Sequence, residues 1–263
     1  MGALKALWNY RQFVISSIYN DLVSRFARSK LGGLWMIINP LAQVAIYALI
    51  LSNVLAAKLP GIDSQYAYAV YLMAGLLAWT LFNEIVSRTT TLFIEQGNLL
   101  KKMSFPRITL PTIVAGSSIL NNLLLLSAML AIFLILGHHF TLSMFWLVPY
   151  ALVLVVFAIG LGLTLGVLNI FVRDVGQIVT IILQMWFWFT PVVYPPTIIP
   201  EQYRHLLDFN PIYPIVNGYQ SIIVYGGRPE IEGLLGTIII GFFSLIVGFF
   251  LFRRASEEMV DVL

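Results

Sequence analysis

The feature that most constrains this chain is the lack of charge over long stretches. Residues 108–172, between Arg107 and Arg173, are 65 consecutive positions without Asp, Glu, Lys or Arg. A helix needs about 20 apolar residues to cross a bilayer, so this run is too long for one crossing and fits two. Charged residues make up only 10% of the chain, against roughly 25% in soluble domains. The chain is therefore predicted to be an integral membrane protein.

The spacing of the remaining charges predicts an all-α membrane protein with six transmembrane helices. The predicted spans are residues 31–57, 66–88, 108–136, 145–171, 175–191 and 233–252. The stretch 192–231 is too long and too apolar for a simple loop. Non-helical backbone at membrane depth must be buried in protein or line a watery cavity. We therefore expect re-entrant or surface-lying helices, broken by prolines, that gate the outer face between the last two spans.

Lysine and arginine are distributed unevenly between the two sides of this topology. One side carries Lys5, Arg11, Arg25, Arg28, Lys30, Arg88, Lys101, Lys102, Arg107, Arg173, Arg253 and Arg254, and the other carries Lys58, Arg204 and Arg228. By the positive-inside rule, both termini, including the tail 253–263, are expected in the cytoplasm. This topology accounts for the net charge of +3, so no nucleic-acid partner is needed.

Two further helices are predicted on the cytoplasmic side. Residues 3–23 space their apolar positions at three and four, which predicts an amphipathic helix in the membrane interface or a cytosolic helix packed on a partner. Gly97 breaks the helical pattern after the second span, and residues 95–103 precede Pro106. They are predicted to form a short helix whose mixed charge and few leucines suit docking into a protein cleft. The alternative is a plain connecting loop.

The residues that membrane enzymes and coupled transporters use are missing from the predicted spans. Glu84 is the only acid near a span, and Arg88 four residues later predicts a salt-bridged pair. The chain has no cysteine, no HExxH motif and no phosphate-binding GxxxxGK[ST] loop. We expect no catalytic, cofactor or metal site in this chain, so any energy for transport must come from another chain.

Four stretches in this order resemble the membrane subunit of ABC-2 type exporters of O-antigen, capsule or teichoic acid polymers. They are SRFARSKLGGLWMIINPL (24–41), LLKKMSFPRITLP (99–111), NIFVRDVGQIVTIILQMWFWFTPVVYP (169–195) and FNPIYPIVNGYQ (209–220). The resemblance covers most of the chain. It implies a homodimer in the bacterial cytoplasmic (inner) membrane, bound to two copies of an ATPase subunit that holds ATP and Mg.

The resemblance also gives the cytoplasmic residues roles. The short helix 95–103 would be a coupling helix on the ATPase, formed by Glu95, Gln96, Gly97, Asn98, Leu99, Lys101 and Lys102 among others. The cations Arg25, Arg28 and Lys30 would meet either the diphosphate of a lipid-linked substrate or anionic membrane headgroups, since both offer phosphate to charged donors.

The stretch QMWFWFTPVVYPP (184–196) holds the candidate substrate surface. Sugar rings stack their C–H faces on aromatic rings, so an aromatic wall binds a glycan loosely, repeat after repeat. The break at Pro191 favours a channel over a lipid-facing aromatic belt, which is the alternative. The channel candidates are Trp186, Trp188, Phe189 and Tyr194, followed by Tyr47 and Trp35 in the first span.

The leading interpretation is the membrane-spanning subunit of an ATP-driven exporter of a lipid-linked polysaccharide. An ABC-2 exporter of a small amphipathic molecule is the alternative and would need a lipid-accessible apolar pocket. A third class, a non-transporting membrane scaffold, would not couple to an ATPase.

Overall fold

The computed structural model describes residues 3–26, 31–35, 67–102, 105–135, 141–227 and 232–256, together with Ile38, Ala42 and residues 258–259. Most of the predicted first span lies outside these ranges. So do Arg28, Lys30 and Tyr47, as well as the side chains of Arg25 and Lys102. The regular structure of the described residues is all helical, which confirms the all-α part of the predicted fold class.

Ten α-helices are described. They are α1 (Ala3–Asn9), α2 (Arg11–Phe26), α3 (Ala67–Glu95), α4 (Gly97–Lys102), α5 (Thr109–Ile135), α6 (Leu147–Phe171), α7 (Asp174–Phe189), α8 (Glu201–Arg204), α9 (Tyr213–Tyr225) and α10 (Glu232–Ala255). Short 3-10 helices lie at Gly32–Leu34, Leu142–Trp146, Pro196–Ile198 and His205–Phe209. Four described stretches are long and apolar enough to cross a bilayer, namely Ala67–Glu95, Thr109–Ala131, Leu142–Phe171 and Gly233–Ala255.

Helix α3 lies at the centre of the described bundle and packs against α5, α6 and α9. Glycines on α6 allow the closest approaches. A Cβ on Gly166 would lie 2.6 Å from the carbonyl oxygen of Thr89 on α3, and one on Gly160 would collide with the backbone of Leu245 on α10. Small residues at such crossings let two helix backbones approach closely. The resulting van der Waals packing stabilises helix association in a membrane.

The amino-terminal segment forms two helices where one was predicted, because the chain breaks at Tyr10. Helix α2 packs on α5, where a Cβ on Gly116 would collide with Ile18. The opposite face keeps Ile15 and Tyr19 exposed. Helix α2 therefore packs on its own chain and leaves an apolar face uncovered.

Helix α3 continues to Glu95, about two turns beyond the predicted end at residue 88. The extension is explained by Phe93, which is buried and stacks on Phe252 of α10 with ring centroids 5.5 Å apart. After the turn at Gln96, α4 begins at Gly97. The predicted helix at 95–103 is therefore a short helix joined almost directly to α3.

The segment after α7 contains several short helical pieces followed by α9. Helix α9 is buried between α3 and α6, with Ile215 and Val216 fully covered. A Cβ on Gly218 would collide with the ring of Tyr150 on α6. Most of this segment is thus part of the packed domain; residues 228–231 lie outside the description.

Candidate functional site

Helix α7 ends just before Pro191, and the backbone that follows is not helical. Thr190 is extended, with φ −102° and ψ 130°, as expected for a residue that precedes proline. The four consecutive carbonyls of the 191–194 segment accept hydrogen bonds from side chains of α3 and α9. The donors are Tyr68 Oη to Val193 O (2.6 Å), Tyr71 Oη to Tyr194 O (3.2 Å), and Gln220 Nε2 to Pro191 O (3.1 Å) and Val192 O (3.2 Å). These bonds replace those that a helix would have made.

Trp186 is anchored by the residues around this break. Its indole Nε1 donates to Asn210 Oδ1 at 3.0 Å, and Asn210 Nδ2 donates to Thr190 Oγ1 at 2.9 Å. The ring of Trp186 meets that of Phe82 on α3 edge to face, 5.4 Å between centroids. One side of the Trp186 indole therefore packs and forms a hydrogen bond within the domain.

The neighbouring aromatic residues of α7 are far more exposed. Trp188 is 60% exposed and Phe189 68%. The hydroxyl of Tyr194 donates to the carbonyl of Trp188 at 2.7 Å. Burial raises the pKa of the Tyr194 phenol, so it remains a protonated donor at neutral pH. The end of α7 thus presents a large aromatic surface outside the packed bundle.

Three of the predicted channel residues line one open pocket of about 430 Å³: Trp186, Phe189 and Tyr194. Tyr203 and Phe209, from the segment after α7, complete its aromatic wall. Trp188 is not among the lining residues. Trp35, 41% exposed, is described in the fragment that follows α2 and does not line this pocket either.

A second, larger cavity of about 850 Å³ lies between α3, α6, α9 and α10. Its wall includes Tyr71, Tyr150, Tyr213, Tyr225, Asn217, Gln220, Ser221 and Asp208. Sequence analysis missed this cavity. The available signal was the spacing of Asn217, Gln220 and Ser221, three and four apart on a helix that is otherwise mostly apolar.

The region of the short helix α4 has an exposed polar face and a buried apolar face. Glu95, Asn98 and Lys101 are three residues apart and all exposed. Leu100 is buried in a core cluster with Leu110 of α5. The polar face is thus the exposed one, whereas Leu100 belongs to this chain's own core and Leu99, one of the predicted coupling residues, is partly buried against that core.

The predicted pair of Glu84 and Arg88 is confirmed at 3.4 Å. Arg88 also pairs with Asp21 of α2 at 2.9 Å and donates to Ser117 of α5 at 2.8 Å, while Asn121 donates to Glu84 at 2.9 Å. This network joins α2, α3 and α5. Within the described ranges, no group of three His, Asp or Glu residues is arranged to hold a metal ion.

The class of protein is now clear: an all-helical, multi-pass membrane domain with an aromatic surface at the end of a short apolar helix. The chain belongs to the ABC-2 type transporter family, which residues 12–224 match.

Similar proteins align over nearly the whole chain. An O-antigen export system permease protein, RfbA of Myxococcus xanthus, is 29% identical over 260 residues and covers 98% of both chains. The protein of that name from Klebsiella pneumoniae is 28% identical over 92% of both. The polysialic acid transport protein KpsM of Escherichia coli is 25% identical over 91% of this chain and 92% of its own length.

Proposed function

We propose that this chain is the membrane-spanning subunit of an ATP-driven exporter that moves a lipid-linked, O-antigen-like polysaccharide across the bacterial inner membrane. The observation that carries the proposal is the extent of the similarity. Proteins named for O-antigen export and for polysialic acid transport both align over more than nine-tenths of the chain. The aligned region therefore includes the cytoplasmic helix α4, the short helix α7 and the segment that follows it.

The proposed assembly is a homodimer with two ATPase subunits, six spans per chain and both termini in the cytoplasm. The four long apolar helices and α7 support five of these spans, and the apolar run 31–57 supports the first. The exposed aromatic end of α7 supports the dimer, because one protomer alone leaves this surface uncovered. A second copy of the chain would enclose it and form a passage.

Coupling to the ATPase is assigned to α4. Its exposed residues Asn98 and Lys101, together with Glu95 at the end of α3, form a face that can meet another protein. Leu100 is buried in the core, and α4 is joined almost directly to α3. A movement of the ATPase against the exposed face would therefore be passed to α3 at the centre of the bundle. The ATPase partner binds ATP and Mg. The conformational changes that ATP binding and hydrolysis cause in the partner are passed to this chain through α4.

Arg25, Arg28 and Lys30 are assigned to the phosphates of the lipid-linked substrate at its point of loading. They follow one another closely at and beyond the end of α2. Guanidinium groups bind phosphate oxygens with two parallel hydrogen bonds, which suits a diphosphate.

Alanine substitutions on α7 test the proposed passage. Trp188→Ala and Phe189→Ala should lower the amount of polymer at the cell surface while the protein remains folded, because both side chains are exposed. Trp186→Ala should lower both export and thermal stability, since it removes the bond to Asn210 and the contact with Phe82. Surface polymer is measured by immunoblot, and folding by size-exclusion chromatography and thermal unfolding in nanodiscs.

The matched control is Phe243→Ala on α10, a phenyl ring with an exposure (67%) close to that of Phe189. It should leave export unchanged. Normal export in Trp188→Ala, Phe189→Ala and Trp186→Ala alike would reject the passage along α7. Loss of a small amphipathic export product with no effect on surface polymer would favour the alternative exporter.

A further inference from the structure

We propose that the cavity between α3, α6, α9 and α10 is a second, intramolecular binding site that takes a neutral saccharide. The proposal rests on the proposed function and adds to it a site within each protomer, away from the surface of α7. The two cavities share no lining residue. Tyr71 and Gln220, which line this cavity, bond to the 191–194 segment, and Tyr194 of that segment lines the pocket at the end of α7.

The size and the aromatic content of the cavity fit a short saccharide. Its volume of about 850 Å³ falls within the roughly 300–1,000 Å³ typical of small-molecule sites. Four tyrosines lie in its wall; Tyr213 and Tyr225 are the more exposed ones, whereas Tyr71 and Tyr150 are only 3% and 1% exposed. Tyrosine combines an apolar ring face with a hydroxyl at one end, which matches the C–H face and hydroxyl edge of a sugar ring.

The polar groups in the wall provide both donors and acceptors. Asn217 and Ser221 are one turn apart on α9, and Asp208 adds a carboxylate. Gln220 is only 1% exposed. Its Nε2 is used by the carbonyls of Pro191 and Val192, whereas its Oε1 accepts no hydrogen bond from any described group. A buried acceptor without a donor costs about 1–3 kcal/mol.

The charge of the wall favours a neutral ligand. Among the described lining residues, Asp208 carries a charge and none is Lys, Arg or His. An anionic sugar or a phosphate would therefore meet a carboxylate and no cation from the described part of the wall. The site thus selects sugar rings rather than the diphosphate end of a lipid-linked substrate.

Binding of a ligand in the cavity would affect the 191–194 segment, which follows α7. Tyr71 and Gln220 line the cavity and also hold three of the four carbonyls of the 191–194 segment. The Gln220 side chain also lies against the Tyr71 phenol. A saccharide in the cavity would therefore lie next to the side chains that support that segment.

The test fills the cavity without disturbing the packing. A Cβ on Gly236 would meet no atom within 4 Å, and Gly236 lines the cavity, so Gly236→Trp places an indole in the space proposed for the sugar. The control is Leu235→Trp, one residue away on the same helix and directed outward. The full chain with its ATPase partner, in nanodiscs, is examined by saturation-transfer NMR with methyl glycosides of glucose, galactose and mannose, maltose, and sialyllactose as the anionic probe.

We expect saturation transfer to the ring protons of at least one neutral probe in the wild type and in Leu235→Trp. Binding should be at least about tenfold weaker in Gly236→Trp. Asn217→Leu serves as a second variant in case the indole prevents folding, and it should weaken binding in the same direction. No transfer to any neutral probe, transfer to sialyllactose alone, or equal binding in both cavity variants and wild type would overturn the proposal.

These outcomes are distinguishable from failure of the proposed function. If the chain is not a polysaccharide exporter, deleting it leaves surface polymer intact, whatever the NMR result. If only the second site is wrong, deletion abolishes surface polymer while Gly236→Trp exports and binds as the wild type does.

Discussion

Single side chains compensate for the break at Pro191. The carbonyls that follow it are supported by a few hydroxyl and amide donors from α3 and α9, because no helix continues there to bond them. Pro191, Val192 and Val193 are buried, so water does not take over these bonds. Each donor therefore contributes more than an ordinary surface hydrogen bond.

Tyr68→Phe removes one of these donors and keeps the ring. The carbonyl of Val193, which is buried, loses the donor that lies 2.6 Å away. We expect a loss of about 1–3 kcal/mol of stability, measured by thermal unfolding in nanodiscs. Tyr203→Phe, at an exposed tyrosine, is the control and should unfold as the wild type does. Unchanged unfolding of Tyr68→Phe would show that the 191–194 segment does not depend on this bond.

Asp21→Asn tests the attachment of α2. The pair with Arg88 is partly exposed, with side-chain exposures of 28% and 27%, so its loss should cost no more than about 1 kcal/mol. The fold should persist, while amides of residues 11–26 exchange faster because α2 detaches more often. Hydrogen–deuterium exchange measures this, with the exposed Asn20→Ala as control. Equal exchange in both variants would show that apolar packing on α5 alone holds the helix.

Among the helices, α4 has one face packed on the core of this chain and another face exposed for the proposed contact with the ATPase. Its sequence is too short to be stable alone, and it is held by burial of Leu100 against the core. This burial orients the polar face outward. Sequence reasoning located the helix but could not orient it, because mixed leucines and charges over so few residues define no clear period.

Lys101→Glu should therefore separate coupling from folding. The side chain is exposed, so the protein should fold normally, yet reversal of its charge should weaken contact with the ATPase and reduce polymer-dependent ATP hydrolysis severalfold. Leu100→Ala is the contrasting variant and should lower stability by about 2–5 kcal/mol. ATPase activity and thermal unfolding of the co-purified complex are compared. Wild-type ATPase coupling in Lys101→Glu would remove this face from the interface.

At the scale of the whole molecule, the proposed orientation is directly measurable because the chain has no native cysteine. A cysteine at Lys101 should react with a membrane-impermeant maleimide only in inside-out vesicles, and one at Tyr203 only in intact spheroplasts. Both native side chains are exposed. Leu77→Cys, fully buried in α3, should react in neither and controls for leakage. Labelling of Lys101→Cys and Tyr203→Cys from the same side would reject the topology.

The membrane class, the helical fold, the approximate positions of the described long helices and the family could all be predicted from the amino-acid sequence. These follow from local quantities: the length of apolar runs, the position of prolines and glycines, and the order of short motifs. It also predicted the Glu84–Arg88 pair, because four residues on a helix bring two side chains together.

Which aromatic residue of α7 is anchored and which is exposed depends on how the helices pack. Helical spacing shows which side chains share a face but not which face meets the bundle, and that depends on Phe82 and Asn210. The large cavity was equally out of reach. Its wall combines residues of α3, α6, α9 and α10, which are far apart in the chain and meet only when the helices pack.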